Sequence, residues 1–119
     1  MKWFLLAVAL LHAAFMLLEL FPWESPFLLA LVSKKLPAGD AFTPRQRNLV
    51  ATIVHNAGIY NGILAAGLAW AALTGESARD VARVLLAGAA GAGLFGTVTM
   101  KSVPTAVQAA LGIIGLLIT

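Results

Sequence analysis

The stretch that decides the fold is residues 3–21, WFLLAVALLHAAFMLLELF, in which His12 and Glu19 are the only ionisable side chains. An α-helix rises about 1.5 Å per residue, so about 20 apolar residues are needed to cross the hydrocarbon core of a bilayer. This stretch has that length, and Pro22 follows it as a helix stop. We therefore predict a membrane-spanning helix that carries a carboxylate near one end.

The composition extends this interpretation to the whole chain. Of the 119 residues, 61% are hydrophobic and 11% are charged, whereas about a quarter of the residues in soluble domains are charged. The mean hydropathy is +0.92, and apolar segments of spanning length recur along the sequence. The sequence therefore predicts one integral membrane domain over residues 1–119, of all-α membrane class, folded as a four-transmembrane-helix bundle.

Turn and cap signals place the predicted helices at about 3–21, 44–73, 78–100 and 104–118. Thr43 is expected to cap the second helix, with Pro44 at its first position. Ser77, with Asp80 three residues later, resembles a capping box for the third helix. The fourth helix is short for a span, so three spans with a half-buried hairpin is the alternative.

A short interfacial segment is predicted between the first two helices. Phe27 to Val32 is apolar, but Pro26 precedes it and Lys34 and Lys35 follow it, so this piece is not a clean span. Such a pattern is typical of a helix that lies at the lipid headgroups, and Trp23 would be its aromatic anchor.

The charges indicate a lipid partner rather than a nucleic acid. The formal net charge is +3, but the basic residues flank the apolar segments, where they would contact anionic headgroups. More of them lie in the first and third loops than elsewhere, which predicts that both termini lie outside the cytoplasm. The absence of cysteine excludes disulfides and thiolate metal sites.

Polar residues from all four predicted helices are expected to meet in one half of the bilayer. Glu19 and His12 share a helix face about 10 Å apart, and we predict them as the catalytic pair. The predicted ligand-binding residues are Trp23, His55, Asn56, Tyr60, Asn61, Lys101 and Gln108. A metal site of His12, Glu19 and His55 is conceivable, but the spacing matches no helix-borne ligand motif, so no metal or cofactor is predicted.

Small residues at four-residue spacing indicate where helices approach closely. Gly58 and Gly62 form such a pair on the second helix, and Gly88, Ala92 and Gly96 form a row on the third. In lipid, this spacing permits backbone contact between helices. We interpret these residues as packing positions without a chemical role.

Two motifs carry a resemblance to a known family. Residues 19–26, ELFPWESP, and residues 56–62, NAGIYNG, resemble a bacterial family of small integral membrane proteins, domain of unknown function 1304. Thr97, Val98 and Lys101, with Val107 and Gln108, fit its later segments. The resemblance implies four membrane helices in the bacterial cytoplasmic membrane and one shared site. It implies no settled activity, and Ala57 stands where the family usually has glutamine.

Three functions follow as hypotheses. The first is an intramembrane polar pocket around Glu19 that binds a small amphiphilic ligand and acts on it by acid-base chemistry. The second is a proton-coupled transporter of the dimeric four-helix type. The third is a structural or accessory subunit, in which the polar residues only join helices. A homodimer is compatible with all three.

Overall fold

The computed structural model describes residues 1–21, 25–34, 36–37 and 39–119. Every regular element among these residues is helical, and none of them lies in a strand, so the predicted all-α class is confirmed. The elements in chain order are α1 (Lys2–Leu20), α2 (Pro26–Ser33), α3 (Pro44–Thr74), a 3-10 turn (Gly75–Ala78), α4 (Arg79–Met100) and α5 (Val103–Ile118).

Among the described residues, two segments are long and apolar enough to cross a membrane. They are Lys2–Leu20 and Pro44–Met100, and the second contains α3, the 3-10 turn and α4. The helix α5 is also apolar, but it has only 16 residues. The bundle of four spans stays a prediction.

The start of α3 is fixed by a reciprocal pair of hydrogen bonds. The Gln46 backbone N–H donates to Thr43 Oγ1 at 3.3 Å, and the Thr43 N–H donates to Gln46 Oε1 at 2.9 Å. This is a capping box, and it satisfies two backbone donors that a helix start leaves open. The expected cap at Thr43 is confirmed, and α3 then ends at Thr74, before Gly75 with its φ of +82°.

The expected cap at Ser77 is wrong. The residue before α4 is Ala78, whose side chain makes no cap hydrogen bond. A 3-10 turn occupies Gly75–Ala78 instead, and the Arg79 N–H donates to the Glu76 carbonyl. Because such a turn bonds its own backbone groups, a side-chain cap is not needed here. The helix α4 closes at Lys101, in left-handed conformation with a φ of 49°.

The described chain divides into two compact units. Unit one contains residues Met1–His12 and Ile63–Thr119, and unit two contains residues Ala13–Gly62. The helices α1 and α3 therefore each contribute residues to both units, while α4 and α5 belong wholly to unit one.

Unit one has an aliphatic core beside a close helix pair. Its buried residues are Leu5, Val8, Ala9, Leu68, Ala71, Ala72, Ala78, Ala82 and Leu86. The helices α4 and α5 approach so closely that a Cβ placed on Gly112 would lie 2.6 Å from the Ala90 backbone nitrogen. A Cβ on Gly93 would meet the backbone of Ala109 in the same way. Glycine is therefore required where these two backbones touch.

The predicted packing row on α4 is only partly correct. Gly96 is buried against Thr105, but Gly88 and Ala92 are exposed. The buried row contains Leu86, Ala89, Gly93 and Gly96. Alternating steps of three and four residues keep one face of a helix toward its neighbour, whereas a strict four-residue repeat drifts by about 40° per step.

Candidate functional site

The candidate site lies in unit two, where the second half of α1 packs against the first half of α3. Two glycines of α3 permit this contact. A Cβ on Gly58 would lie 3.0 Å from Leu20 Cγ and 3.2 Å from Glu19 Cβ. A Cβ on Gly62 would lie 2.6 Å from Met16 Sδ. The prediction that Gly58 and Gly62 allow close packing is confirmed.

The contact brings together two of the predicted site residues, Glu19 and Asn61. The Asn61 Nδ2 amide donates a hydrogen bond to Glu19 Oε2 at 2.8 Å. Both side chains are half-buried, and Glu19 is the penultimate residue of α1. A carboxylate bonded by an amide at this distance has a good hydrogen-bond partner.

The charge of Glu19 is not balanced by a basic side chain of the described residues. The ion pairs that they form are Arg79 with Glu76 at 2.7 Å and Arg83 with Asp80 at 3.8 Å, both at the start of α4. Asn61 offers a hydrogen bond but no positive charge. The site therefore presents an acidic group that one neutral amide orients.

Three other predicted residues of α3 lie elsewhere on the helix. Asn56 and Tyr60 are exposed, with Tyr60 63% accessible, and they point about 140° and 100° away from Asn61. No described residue forms a hydrogen bond with either side chain. His55 is half-buried. The hydrogen bond to Glu19 thus selects Asn61 from this group.

The remaining predicted residues do not belong to the described part of unit two. His12 is fully buried in unit one. Lys101 is exposed at the end of α4, and Gln108 is half-buried on α5, both in unit one. Trp23 falls outside the described residues. That all nine form one site stays a prediction.

The described residues contain no group of three or more His, Asp or Glu side chains that could hold a metal ion. Glu19 and Asn61 bring a carboxylate and an amide to the described site. These groups can accept and donate hydrogen bonds, and the carboxylate can also carry or receive a proton.

The sequence interpretation missed a hydroxyl cluster in unit one, where α4 meets α5. Ser102 Oγ lies 2.9 Å from Thr105 Oγ1, and Thr97 Oγ1 donates to Thr105 Oγ1 at 3.4 Å. The Thr105 N–H donates to Ser102 Oγ, which caps α5. These bonds stabilise the start of α5. Ser102, two residues before Pro104, is a helix-cap signal from which the sequence could have predicted this cluster. We assign these hydroxyls no catalytic role.

Arg83 makes a second contact that the sequence did not suggest. Its Nη2 donates to the backbone oxygen of Thr119 at 2.6 Å. The bond links the first turns of α4 to the end of α5 and gives Arg83 a packing role in unit one.

Residues 6–119 match the family described as Protein of unknown function (DUF1304). The chain belongs to this family. The match spans both halves of the candidate site and confirms the resemblance seen in the two sequence motifs. None of the curated proteins and none of the solved structures matches this DUF1304 chain.

Proposed function

We propose that this DUF1304 protein is a four-helix integral membrane protein of the bacterial cytoplasmic membrane. Its support is the apolar character of α1 and of the Pro44–Met100 segment, together with the large apolar side chains that the helices expose. Leu10 is 71% exposed, Leu73 70% and Phe95 72%. A soluble monomer rarely exposes such extended apolar surface, whereas hydrocarbon chains cover it favourably.

We further propose that Glu19 and Asn61 bind a small amphiphilic ligand within the membrane. The observation that carries this proposal is the 2.8 Å hydrogen bond from Asn61 to a half-buried carboxylate that no described lysine or arginine neutralises. A charged group near hydrocarbon needs a compensating charge or a proton. A ligand with a cationic or hydrogen-bond-donating head would supply one, while its apolar part remains in lipid.

Acid-base chemistry at the same site is part of the proposal. Glu19 would accept or return a proton, and Asn61 would orient the carboxylate. Of the other predicted ligand contacts, His55 belongs to the same unit and is half-buried. The hydrogen bond between Glu19 and Asn61 also favours the structural alternative, in which the pair only joins α1 to α3.

Native mass spectrometry of the purified protein tests ligand binding. We expect a small molecule or lipid to stay bound to the wild type and to be lost from Glu19→Gln, which keeps the size of the side chain and removes its charge. Glu76→Gln is the matched control, because Glu76 is an exposed acid at the start of unit one's 3-10 turn. It should retain the ligand.

The same variants separate the alternatives. Equal ligand retention in wild type and Glu19→Gln would reject the binding proposal. If Glu19→Gln only lowers the unfolding midpoint, the structural function is favoured. A Glu19-dependent proton flux in proteoliposomes, with no retained ligand, would favour the transporter. Against the transporter, Glu19 lies at the end of α1 rather than at mid-helix.

A further inference from the structure

One side of α3 faces away from α1 and is exposed. In unit two, Gly58 lies on the side toward α1, where an added Cβ would meet Leu20 and Glu19. On the other side lies a continuous exposed surface, which we call the Asn56 face. It consists of Leu49, Thr52, Ile53, Asn56, Ile59 and Tyr60.

The Asn56 face places polar groups in an apolar segment. Asn56 is about 10 Å along the helix from Leu49, where the apolar part of α3 begins. None of the described residues forms a hydrogen bond with the Asn56 amide or the Tyr60 hydroxyl, while Thr52 Oγ1 donates to its own helix at Asn48 O, at 3.0 Å. Lipid chains offer amides no hydrogen-bond partner. This face therefore fits a partner that supplies polar groups at the same depth.

The spacing of the face indicates what kind of partner fits. Leu49, Thr52, Asn56 and Ile59 follow one another in alternating steps of three and four residues. This 3.5-residue period is the seam of two helices that wind around each other, and one asparagine in such a seam fixes their register. Along the sequence the same steps continue at Ile63, Ala66, Trp70 and Leu73, each of which is exposed.

We propose that the Asn56 face binds a second copy of this chain, with α3 packed beside α3 of the partner. The face contains no charged residue, so two identical faces meet without repulsion. An asparagine amide carries both a donor and an acceptor, so two Asn56 side chains related by a two-fold axis satisfy each other. This inference rests on the proposed membrane placement of α3 and not on the proposed function of Glu19.

Disulfide cross-linking in proteoliposomes tests the geometry, because the natural chain has no cysteine. Single-cysteine variants at Leu49, Thr52, Asn56 and Ile59 are compared with Val84→Cys and Val98→Cys. The two control positions lie on α4 and are 71% and 75% exposed. We expect oxidation to link copies through the four α3 positions and not through the controls. Faster linking through the controls would overturn the proposal.

Energy transfer between labelled copies tests the role of the amide. Copies carrying fluorophores at Ser77→Cys, which lies in the 3-10 turn, are diluted with lipid to obtain a dimer dissociation constant. We expect Asn56→Ala to raise that dissociation constant about tenfold, which is the effect expected when a hydrogen bond between membrane helices is lost. Thr99→Ala, an exposed hydroxyl of α4 bonded to its own helix, is the control and should leave it unchanged.

Two results would contradict a second copy as the occupant. One is a wild-type protein that gives no energy transfer at any lipid dilution. The other is a native membrane in which the α3 cysteines cross-link to a different protein and never to another copy. Circular dichroism of each variant establishes that its helices have formed.

Discussion

At the scale of the residue, the main result is the partner of Glu19. A carboxylate in a membrane helix can be stabilised by a basic side chain, by a hydrogen bond or by protonation. In the described residues, Glu19 is bonded by the amide of Asn61 at 2.8 Å. Because a neutral amide leaves the charge in place, the site keeps its capacity to bind a cation or a proton.

The hydrogen bond between these residues predicts a coupled loss of stability. Asn61→Leu should destabilise the folded protein by about 1 kcal/mol, because the half-buried Glu19 carboxylate loses its donor. In the double variant with Glu19→Leu, the loss should be smaller than the sum of the two single losses. Unfolding in mixed micelles measures all three variants.

The control for this cycle is Asn48→Leu, an exposed asparagine in the same helix. It should show no coupling with Glu19→Leu. Strictly additive losses for Asn61 and Glu19 would mean that their hydrogen bond contributes nothing to stability.

At the scale of the element, the helices differ in how strictly they require glycine. On α4, Gly93 meets the backbone of α5, whereas Gly88 has no atom of the described residues within 4 Å of an added Cβ. On α3, Gly62 meets Met16 Sδ, which lies near the end of a flexible side chain and can move. These three glycines therefore lie in three different packing environments.

These environments predict how strongly an alanine substitution at each of the three glycines changes the free energy of unfolding. Gly93→Ala should destabilise the protein by about 1–3 kcal/mol, because the backbone of α5 must move. Gly88→Ala should stabilise it by up to about 1 kcal/mol through helix propensity alone. Gly62→Ala should fall between them. Thermal unfolding in detergent gives the order, and a loss at Gly88 equal to that at Gly93 would contradict the packing of α4 on α5.

At the scale of the whole molecule, the proposed four-span architecture predicts the side of the membrane on which each connection between helices lies. Single cysteines at Ala41, Ser77, Ser102 and Ile118 report the side of each connection when intact cells are treated with an impermeant maleimide. Four spans with both termini outside the cytoplasm predict labelling at Ser77→Cys and Ile118→Cys and none at the other two.

The position of α5 decides between the two predicted architectures. With 16 residues, α5 is short for a span of about 30 Å. If Ile118→Cys is protected while Ser77→Cys is labelled, α5 does not cross, and three spans with a hairpin replace the four-helix bundle. If Ala41→Cys is labelled instead of Ser77→Cys, the predicted orientation is reversed.

Sequence alone determined the helical class, the start of α3 and the family. Apolar run length and local caps are properties of neighbouring residues, so the start of α3 at Thr43 and Pro44 could be predicted directly from the sequence. It also identified Glu19 as a catalytic candidate and Asn61 as one of seven ligand-binding candidates, but it did not predict that these two residues pair. Helical periodicity shows that Asn56 and Asn61 lie on different faces of α3, but it does not show which of these faces meets α1.

Only the tertiary structure decided which of these residues pair. The choice of face depends on where glycine lets α1 and α3 approach, and that is a contact between residues distant in sequence. The two errors in unit one have different reasons, one local and one tertiary. A 3-10 turn that bonds its own backbone replaced the cap at Ser77, and the packing of α5 selected Gly93 and Gly96 over Gly88.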